Sequence, residues 1–305
     1  MLIYDAFELF IADREAYCVS RTIKYYRRNI PKFFKYLSSV LGRNPEVLEC
    51  SVVTRSHVTG FVSSLRSSGY KNTTVNSYFR PVKAFLYYCI DEGFCSSDVL
   101  RRIRSLRNDS RPVIPLSKRE VVMIDELFDS GTGSDLLGLC IVHLMLDAGF
   151  RCSDVISLHV GDVNFDRNYM SVIGKGNKYR IVFLCPKLKV LLLQYMSDFR
   201  PAGYNGSSPF LVVPGSSVPV DYYYIVHLFN FIRKETGITR LHPHLLRHTY
   251  ATSYIMGGGN IEFLRIMLGH SDYGTTKIYL HLAQEAEMLH SDIYRLDSIF
   301  FKNGY

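Results

Sequence analysis

The sequence has no apolar stretch long enough to span a bilayer. Its longest apolar run, Leu136 to Leu146, is interrupted by His143 and is far shorter than the roughly 20 residues that a membrane-spanning helix needs. The first residues, Met1 to Asp5, contain neither a basic segment nor a long apolar one. We therefore expect no signal peptide and no membrane partner, and we predict a cytoplasmic protein.

Paired cysteines and several ligand-binding motifs are missing as well. The seven cysteines are odd in number and none forms a C-x-x-C pair, which argues against a disulfide scaffold or a cysteine-rich zinc site. The sequence contains no H-E-x-x-H and no P-loop, two common signatures of metal and nucleotide sites. We expect a reducing, intracellular compartment, no metal and no other cofactor.

The positive charge is concentrated in the first third of the chain. The 305 residues suggest two domains, and the net charge is +8. Residues 1–110 hold 17 Lys and Arg against 10 Asp and Glu, whereas residues 111–305 hold 19 against 18. This asymmetry is compatible with a polyanionic partner of the N-terminal part.

The N-terminal part is predicted to be helical. Apolar spacing and capping residues indicate helices over about 4–18, 20–40, 56–67 and 73–91. The second helix carries basic residues three or four positions apart, although Pro31 can kink or divide it. This basic stripe consists of Arg21, Lys24, Arg28, Lys32 and Lys35. It suits a surface that follows a DNA backbone, or it is simply a solvated helix face.

A linker and a second, mixed domain follow. Residues 107–115 contain two prolines and no apolar period, which predicts a linker. Ser117 and Glu120 form a capping-box sequence that opens a helix over about 118–129, and a second helix follows over about 134–149. Short β-rich segments at 169–173 and 179–183 flank a Gly-Lys-Gly-Asn turn, which indicates a hairpin. We predict a mainly α fold with a small antiparallel β-sheet (α+β).

Two cationic side chains stand at junctions of predicted elements. Arg151, in Gly-Phe-Arg-Cys-Ser-Asp154, lies between two helices, where its guanidinium could bind a phosphate or could pair with Asp154 at the surface. Lys175 lies on the hairpin turn between two glycines. It could reach a phosphate or could be an ordinary solvated lysine.

A histidine-rich segment and a late tyrosine complete the candidates. On a helix, His244 and Arg247 share a face, and with His248 they could surround one phosphate. A metal site is the alternative, but no nearby Cys or carboxylate completes a ligand set. Leu-Gly-His270 follows, and then Tyr279. A tyrosine is usually a packing residue, yet beside several cations it could attack phosphorus.

Taken together, these motifs resemble the tyrosine recombinase, or phage integrase, family. That family carries G-x-R-x-x-E/D-x-x-x-L, G-K-G-x-K, H-x-L-R-H, L-G-H and T-T-x-x-Y in this order. The corresponding stretches here are 149–158, 174–178, 244–248, 268–270 and 275–279. Each motif alone is weak, but the ordered set is specific, and the layout is most similar to Xer-type and mobile-element members.

The resemblance implies a role for each matching position. Arg151 and Arg247 would bind the non-bridging oxygens of the scissile phosphate, and Lys175 would protonate the departing 5′ oxygen. His244 would be an acid/base histidine, His270 would hydrogen-bond the phosphate, and Tyr279 would be the nucleophile. The resemblance adds three supporting or DNA-binding positions, which are Asp154, His248 and Lys178.

The implied function is site-specific DNA recombination through a 3′-phosphotyrosine intermediate and a Holliday junction. We expect a helical DNA core-binding domain over 1–106 and a catalytic domain over 116–305, whose amphipathic tail, 286–301, docks on a neighbouring protomer or packs on its own domain. The partner would be double-stranded DNA with paired sites, bound by a homotetramer of subunits that are monomeric in solution. Accessory proteins stay undefined. The alternatives are strand religation like that of a type IB topoisomerase and a non-catalytic DNA-binding protein.

Overall fold

The computed structural model describes residues 1–107, 113–129, 131–174, 178–269 and 279. The chain forms two compact units, Met1–Pro112 and Val113–Tyr305, and their boundary falls within the stretch predicted as a linker. Across the described residues, no helix has both the length and the apolar character needed to cross a membrane.

The N-terminal unit is built from helices. They are α1 (Ile3–Glu15), α2 (Ser20–Leu41), α3 (Arg55–Ser67) and α4 (Asn72–Asp91). The predicted boundaries agree with these to within a few residues. Pro31 lies inside a continuous α2 and does not divide it, and Gly42, with φ +64°, ends this helix in the left-handed conformation that glycine favours.

Aromatic packing fills the core of the N-terminal unit. The Phe10 and Phe34 rings both contact the Phe85 ring edge-on, with centroids 5.7 and 5.5 Å away, an arrangement that aromatic pairs prefer. Phe33 is equally buried on α2. Because α2 turns these rings inward, its charged residues face solvent, and the side chains of the predicted basic stripe are all exposed.

The C-terminal unit surrounds an apolar helix with further helices and a small sheet. These elements are α5 (Lys118–Glu126), α6 (Gly133–Leu146), α7 (Cys152–Ile156), β1 (Val163–Asn164), β2 (Tyr169–Gly174), β3 (Lys178–Phe183), α8 (Pro186–Gln194), α9 (Tyr222–Thr236), α10 (Pro243–Met256) and α11 (Ile261–Leu268). Helix α6 is buried on nearly every side and packs against α8 and α10. The longest apolar run of the sequence is therefore a core helix.

The sheet is antiparallel, with strand order β1-β2-β3, as predicted. In the β2–β3 hairpin, Tyr169 pairs with Phe183 and Gly174 pairs with Lys178. The predicted capping box is present at the start of α5, where Ser117 accepts the backbone N–H of Glu120 and Glu120 accepts that of Ser117. The predicted fold class, mainly α with a small antiparallel sheet, is confirmed.

Candidate active site

Arg151 lies where the chain turns from α6 into α7, two residues after a glycine in the left-handed conformation. Gly149 has φ +65°, a conformation that side chains disfavour. A Cβ at this position would lie 2.7 Å from the Tyr250 ring and 3.0 Å from Leu268. Both the conformation and the space therefore require glycine two residues before Arg151.

The carboxylate of Asp154 fixes the start of α7. It accepts the backbone N–H of Arg151 at 2.9 Å, which satisfies one of the free donors of the first helical turn. It also accepts the guanidinium of Arg180, on β3, at 2.5 Å. Asp154, which the sequence offered as a possible surface partner of Arg151, is buried and binds the backbone of Arg151 and the side chain of Arg180.

Arg180 is a site residue that the sequence motifs did not reveal. It is 5% exposed, and among the residues that the structure describes its Nε and Nη1 atoms have no hydrogen-bond partner. Its side chain lies 3.2 Å from the position of a Cβ on Gly269. The alternation along the strand could have predicted that Arg180 is buried, because Arg180 lies two positions from Val182 and so shares its buried face.

The guanidinium groups of Arg247, on α10, and of Arg151 bind neighbouring carbonyl oxygens in the turn that follows α11. Arg247 is 6% exposed and donates to the carbonyl oxygens of Gly149 and Leu268, both at 2.6 Å. Arg151 donates to the carbonyl of the next residue, Gly269, at 3.3 Å. Burial and the neighbouring charge of Arg151 lower the pKa of Arg247 to about 9, so it stays charged at pH 7.

His244 lies in the first turn of α10, and its side chain reaches solvent. Partial burial lowers its pKa, and the charges of Arg247, His242 and Arg151 lower it further. His244 is therefore a neutral imidazole at pH 7, close enough to both arginines to feel their charges.

Tyr279 is buried beside these groups, at 5% exposure, in an apolar cluster. The cluster is formed by Ala251, Ile255, Leu264, Met267 and Leu268. The phenolic Oη lies 2.9 Å from Nδ1 of His248, and the two rings are 5.3 Å apart between centroids. Burial raises the pKa of Tyr279 to about 12, although Arg247 acts in the opposite direction. The phenol is therefore protonated at pH 7.

The structure thus brings Arg151, Asp154, Arg247, His248 and Tyr279 into one region of the C-terminal unit, with His244 alongside. Two predicted site residues, Lys175 and His270, lie outside the described residues, as does the predicted tail helix, 286–301. Lys178 begins β3 opposite Gly174.

The basic stripe of α2 lines a cavity in the N-terminal unit. The cavity has a volume of about 430 Å³ and is lined by Arg21, Lys24, Tyr25, Arg28, Asn29, Lys32 and Tyr78. Lys32 Nζ lies 3.7 Å from the centroid of the Tyr78 ring, a cation–π contact. Lys35 is exposed on the same helix but does not line the cavity. The sequence predicted the cations but not the two tyrosines.

Within the described ranges, the one group of ligand side chains that could hold a metal consists of Cys50, Cys89 and Cys95 in the N-terminal core. Their sulfur atoms lie within 4.8 Å of one another, and the group contains no fourth ligand. Cys95 Sγ is 3.1 Å from the carbonyl oxygen of Cys50, the contact of a protonated thiol that donates. Three sulfurs are one ligand fewer than the four that structural zinc sites use.

Two guanidinium groups that meet beside a buried phenol form a site suited to binding and transferring a phosphoryl group. Comparison with known proteins agrees with this class. Residues 113–286 match the phage integrase family. The chain belongs to that family, and the predicted tyrosine recombinase resemblance is confirmed.

Individual relatives and solved structures extend the similarity over both units. The chain is 27% identical to the tyrosine recombinase XerD of Listeria monocytogenes serotype 4b, over 93% of this chain and 94% of that protein. It is 28% identical to the tyrosine recombinase XerC of Roseiflexus castenholzii, over 92% and 89% of the two chains. Its fold is similar to that of the Tn1549 transposon integrase in complex with transposon right end DNA, with a TM-score of 0.74, 17% identity and coverage of 95% and 99%.

Proposed function

We propose that the chain is a site-specific DNA recombinase that cuts and rejoins strands through a covalent bond between Tyr279 and a 3′ phosphate. The observation that carries the proposal is the meeting of Arg151 and Arg247 at the adjacent carbonyls of Leu268 and Gly269, beside the buried phenol. Relatives named as tyrosine recombinases support it, and so does a similar integrase structure in complex with DNA.

The two arginines would act on the scissile phosphate. In the transition state, extra negative charge develops on the non-bridging oxygens, and two preorganised guanidinium groups stabilise it. Loss of one such donor typically costs about 2.7–4 kcal/mol in the barrier, or about 10²–10³ in rate. Asp154 and Arg180 would act indirectly, because they hold the turn that carries Arg151.

Three further side chains would complete the chemistry, as the family resemblance implies. Lys175 would protonate the departing 5′ oxygen, His244 would exchange protons near the phosphate, and His270 would donate a hydrogen bond to it. Tyr279 would form the phosphotyrosine bond, which keeps the energy of the broken strand. A 5′ hydroxyl from a second duplex could then attack that bond without any external energy source.

The N-terminal unit would hold the duplex through the cations of its α2 cavity, and Lys178 would contribute from the C-terminal unit. Four protomers would act on two DNA sites in the cytoplasm, exchanging one pair of strands at a time through a Holliday junction. The segment 286–301 would link neighbouring protomers. Truncation after Ser291 should then leave strand cleavage detectable but weaken the pairing of two sites, measured by native gel electrophoresis. Undiminished recombination by the truncated protein would refute this exchange.

The test of the proposed reaction is a suicide substrate. A bound sequence is first selected from a random pool of duplexes, and a nick is placed so that the cut strand loses a short fragment and cannot be rejoined. The wild type should form a protein–DNA adduct that survives denaturation, whereas the Tyr279→Phe variant should form none. A wild type that binds its selected site but forms no adduct would overturn the proposal.

The two alternatives are not favoured by the comparisons, whose named relatives are recombinases and integrases. The same substrates separate them. Religation like that of a type IB topoisomerase would relax supercoils and yield no recombinant product, whereas a DNA-binding protein without activity would yield neither.

A further inference from the structure

The two ring nitrogens of His248 face different partners. Its Nε2 lies 2.8 Å from the carbonyl oxygen of Val113, and its Nδ1 lies 2.9 Å from the phenolic Oη of Tyr279. A carbonyl oxygen only accepts hydrogen bonds, so Nε2 must carry the hydrogen. In a neutral imidazole this leaves a lone pair on Nδ1, and the phenol therefore donates its hydrogen to Nδ1.

The surroundings keep the ring neutral at pH 7. Burial lowers the pKa of His248, and the hydrogen bond to Val113 only partly opposes this. The phenol and the Val113 carbonyl face the ring. Burial raises the pKa of the phenol, and Arg247, on the same helix as His248, only partly opposes this. Helix α11 contributes apolar side chains to the cluster around Tyr279.

We propose that His248 is the base that removes the phenolic proton of Tyr279 as the phenol attacks the DNA phosphate. The proposal rests on the proposed function. In the step, the O–H bond of Tyr279 breaks and its proton moves to Nδ1 of His248. The phenolic oxygen forms a bond to phosphorus, the bond to the 5′ oxygen breaks, and the departing oxygen takes a proton from a separate acid, the proposed role of Lys175. Religation runs these transfers in reverse.

The geometry favours His248 over His244 for this role. The phenolic Oη of Tyr279 donates its hydrogen bond to Nδ1 of His248, and no hydrogen bond among the described residues joins His244 to Tyr279. The fixed tautomer adds to the argument. Because the Val113 carbonyl holds the hydrogen on Nε2, the lone pair of Nδ1 is directed at the atom that must lose its proton, and the imidazolium formed in the step keeps its bond to Val113.

Amide substitutions separate the possible roles of the ring. In His248→Asn the amide oxygen can replace Nδ1 as a hydrogen-bond acceptor, yet an amide cannot hold a proton at neutral pH. In His248→Gln the amide nitrogen can still donate to Val113. If His248 only positions the phenol, the Asn variant should retain activity. If it accepts the proton, both variants should form adduct about 10²–10⁴ times more slowly, the range typical of general-base catalysis.

The pH profile gives a readout that a merely structural role would not change. Single-turnover adduct formation by the wild type should decline at acidic pH, as His248 becomes protonated below its lowered pKa. The Asn variant should lack this acidic limb. The same substitution at the exposed His227 of α9 is the matched control and should leave rate and profile unchanged. Thermal unfolding and DNA affinity of each variant show that it is folded and bound.

Chemical rescue completes the test. Added imidazoles should restore adduct formation to His248→Ala, and the restored rate should depend on the pKa of the added base. An Asn variant with the wild-type rate and acidic limb would overturn the proposal, and so would a folded, DNA-binding Ala variant that no imidazole rescues. A wild type without adduct would instead overturn the proposed function, and this role with it.

Discussion

The guanidinium of Arg180 lies 2.5 Å from the carboxylate of Asp154, and each side chain is 4% exposed. Breaking a buried ion pair by removing one partner leaves the other charge in a medium of low polarity. We therefore expect Arg180→Ala to lower the free energy of unfolding of the C-terminal unit by about 3–5 kcal/mol, measured by urea denaturation. Adduct formation should fall as well, because Asp154 holds the turn that carries Arg151.

Two controls sharpen this prediction. Lys234→Ala removes an exposed ion pair with Glu235 and should change the free energy of unfolding by less than about 1 kcal/mol. The double variant Arg180→Met with Asp154→Leu replaces both charges by apolar groups and should recover most of the lost stability. An Arg180→Ala variant as stable as the wild type would contradict a buried, energetically coupled pair.

A Cβ at Gly149 should disturb the arginine site, because the carbonyl oxygens of Gly149 and Leu268 both bind Arg247. Gly149→Ala should lower the free energy of unfolding by about 1–2 kcal/mol because alanine disfavours the left-handed conformation. Overpacking against Tyr250 and Leu268 should lower it by about 1–3 kcal/mol more. Gly203→Ala is the matched control, because Gly203 has φ +84° and open space around it. Denaturation should show the larger loss for Gly149→Ala, with a fall in adduct formation. Equal losses for the two variants would show that the site tolerates the methyl group.

The charge of His143 should make the protein less stable as the pH rises. Its ring nitrogens lie 2.9 and 2.8 Å from carboxylate oxygens of Asp125 and Asp147, so both nitrogens donate and the ring is an imidazolium. Burial alone would lower the pKa of His143, but the two carboxylates raise it. The stabilisation is therefore complete below the unfolded-state pKa of about 6.5 and is lost as pH rises through the raised folded-state pKa.

The measurement is the difference in free energy of unfolding between the wild type and His143→Asn across pH 5–9. This difference should shrink as pH rises, by at most about 1.4 kcal/mol per pH unit. The same substitution at the more exposed His159 serves as the control. A difference that stays constant with pH would mean that the buried ring is not charged.

The cations of the α2 cavity should set the salt dependence of DNA binding. Each contact with a duplex phosphate that is lost should reduce the slope of log affinity against log salt by about 0.9. We expect this for Lys24→Ala and Arg28→Ala, measured by titrating a fluorescent duplex. Arg27→Ala is the control, because Arg27 lies on the same helix but is paired with Glu8 at 3.0 Å. Equal slopes for all variants would exclude this face from the DNA interface.

The sequence predicted local structure well where the apolar residues follow a single helical or strand spacing. Helix spacing located α1 to α4 to within a few residues, and the Gly-rich turn located the hairpin. Pro31 was an ambiguous signal, because a proline inside a helix removes one hydrogen bond but does not decide whether packing holds the helix together. Here α2 stays continuous, with Phe33 and Phe34 buried two and three residues after the proline.

The site was predictable only where residues form motifs. Arg151, Arg247 and Tyr279 belong to ordered motifs, whereas Arg180 stands alone in an alternating strand. Tyr179, Ile181 and Phe183 on that strand are 62%, 43% and 57% exposed, so the apolar residues face outward and the arginine inward. Long-range contacts decide this, because the partner of Arg180 lies 26 positions earlier. The bond between His248 and Val113 spans 135 positions and was equally invisible.

The oxygens of Gly149, Leu268 and Gly269 receive hydrogen bonds from the two arginines. A phosphate that takes these same N–H groups would replace the backbone oxygens as their acceptor. Two of these carbonyls, those of Leu268 and Gly269, belong to a turn eleven and ten residues before Tyr279, so phosphate binding and the conformation of this turn would be linked thermodynamically. By reciprocity, a change that weakens the hydrogen bonds between this turn and the two arginines would raise the affinity of the arginines for a DNA phosphate.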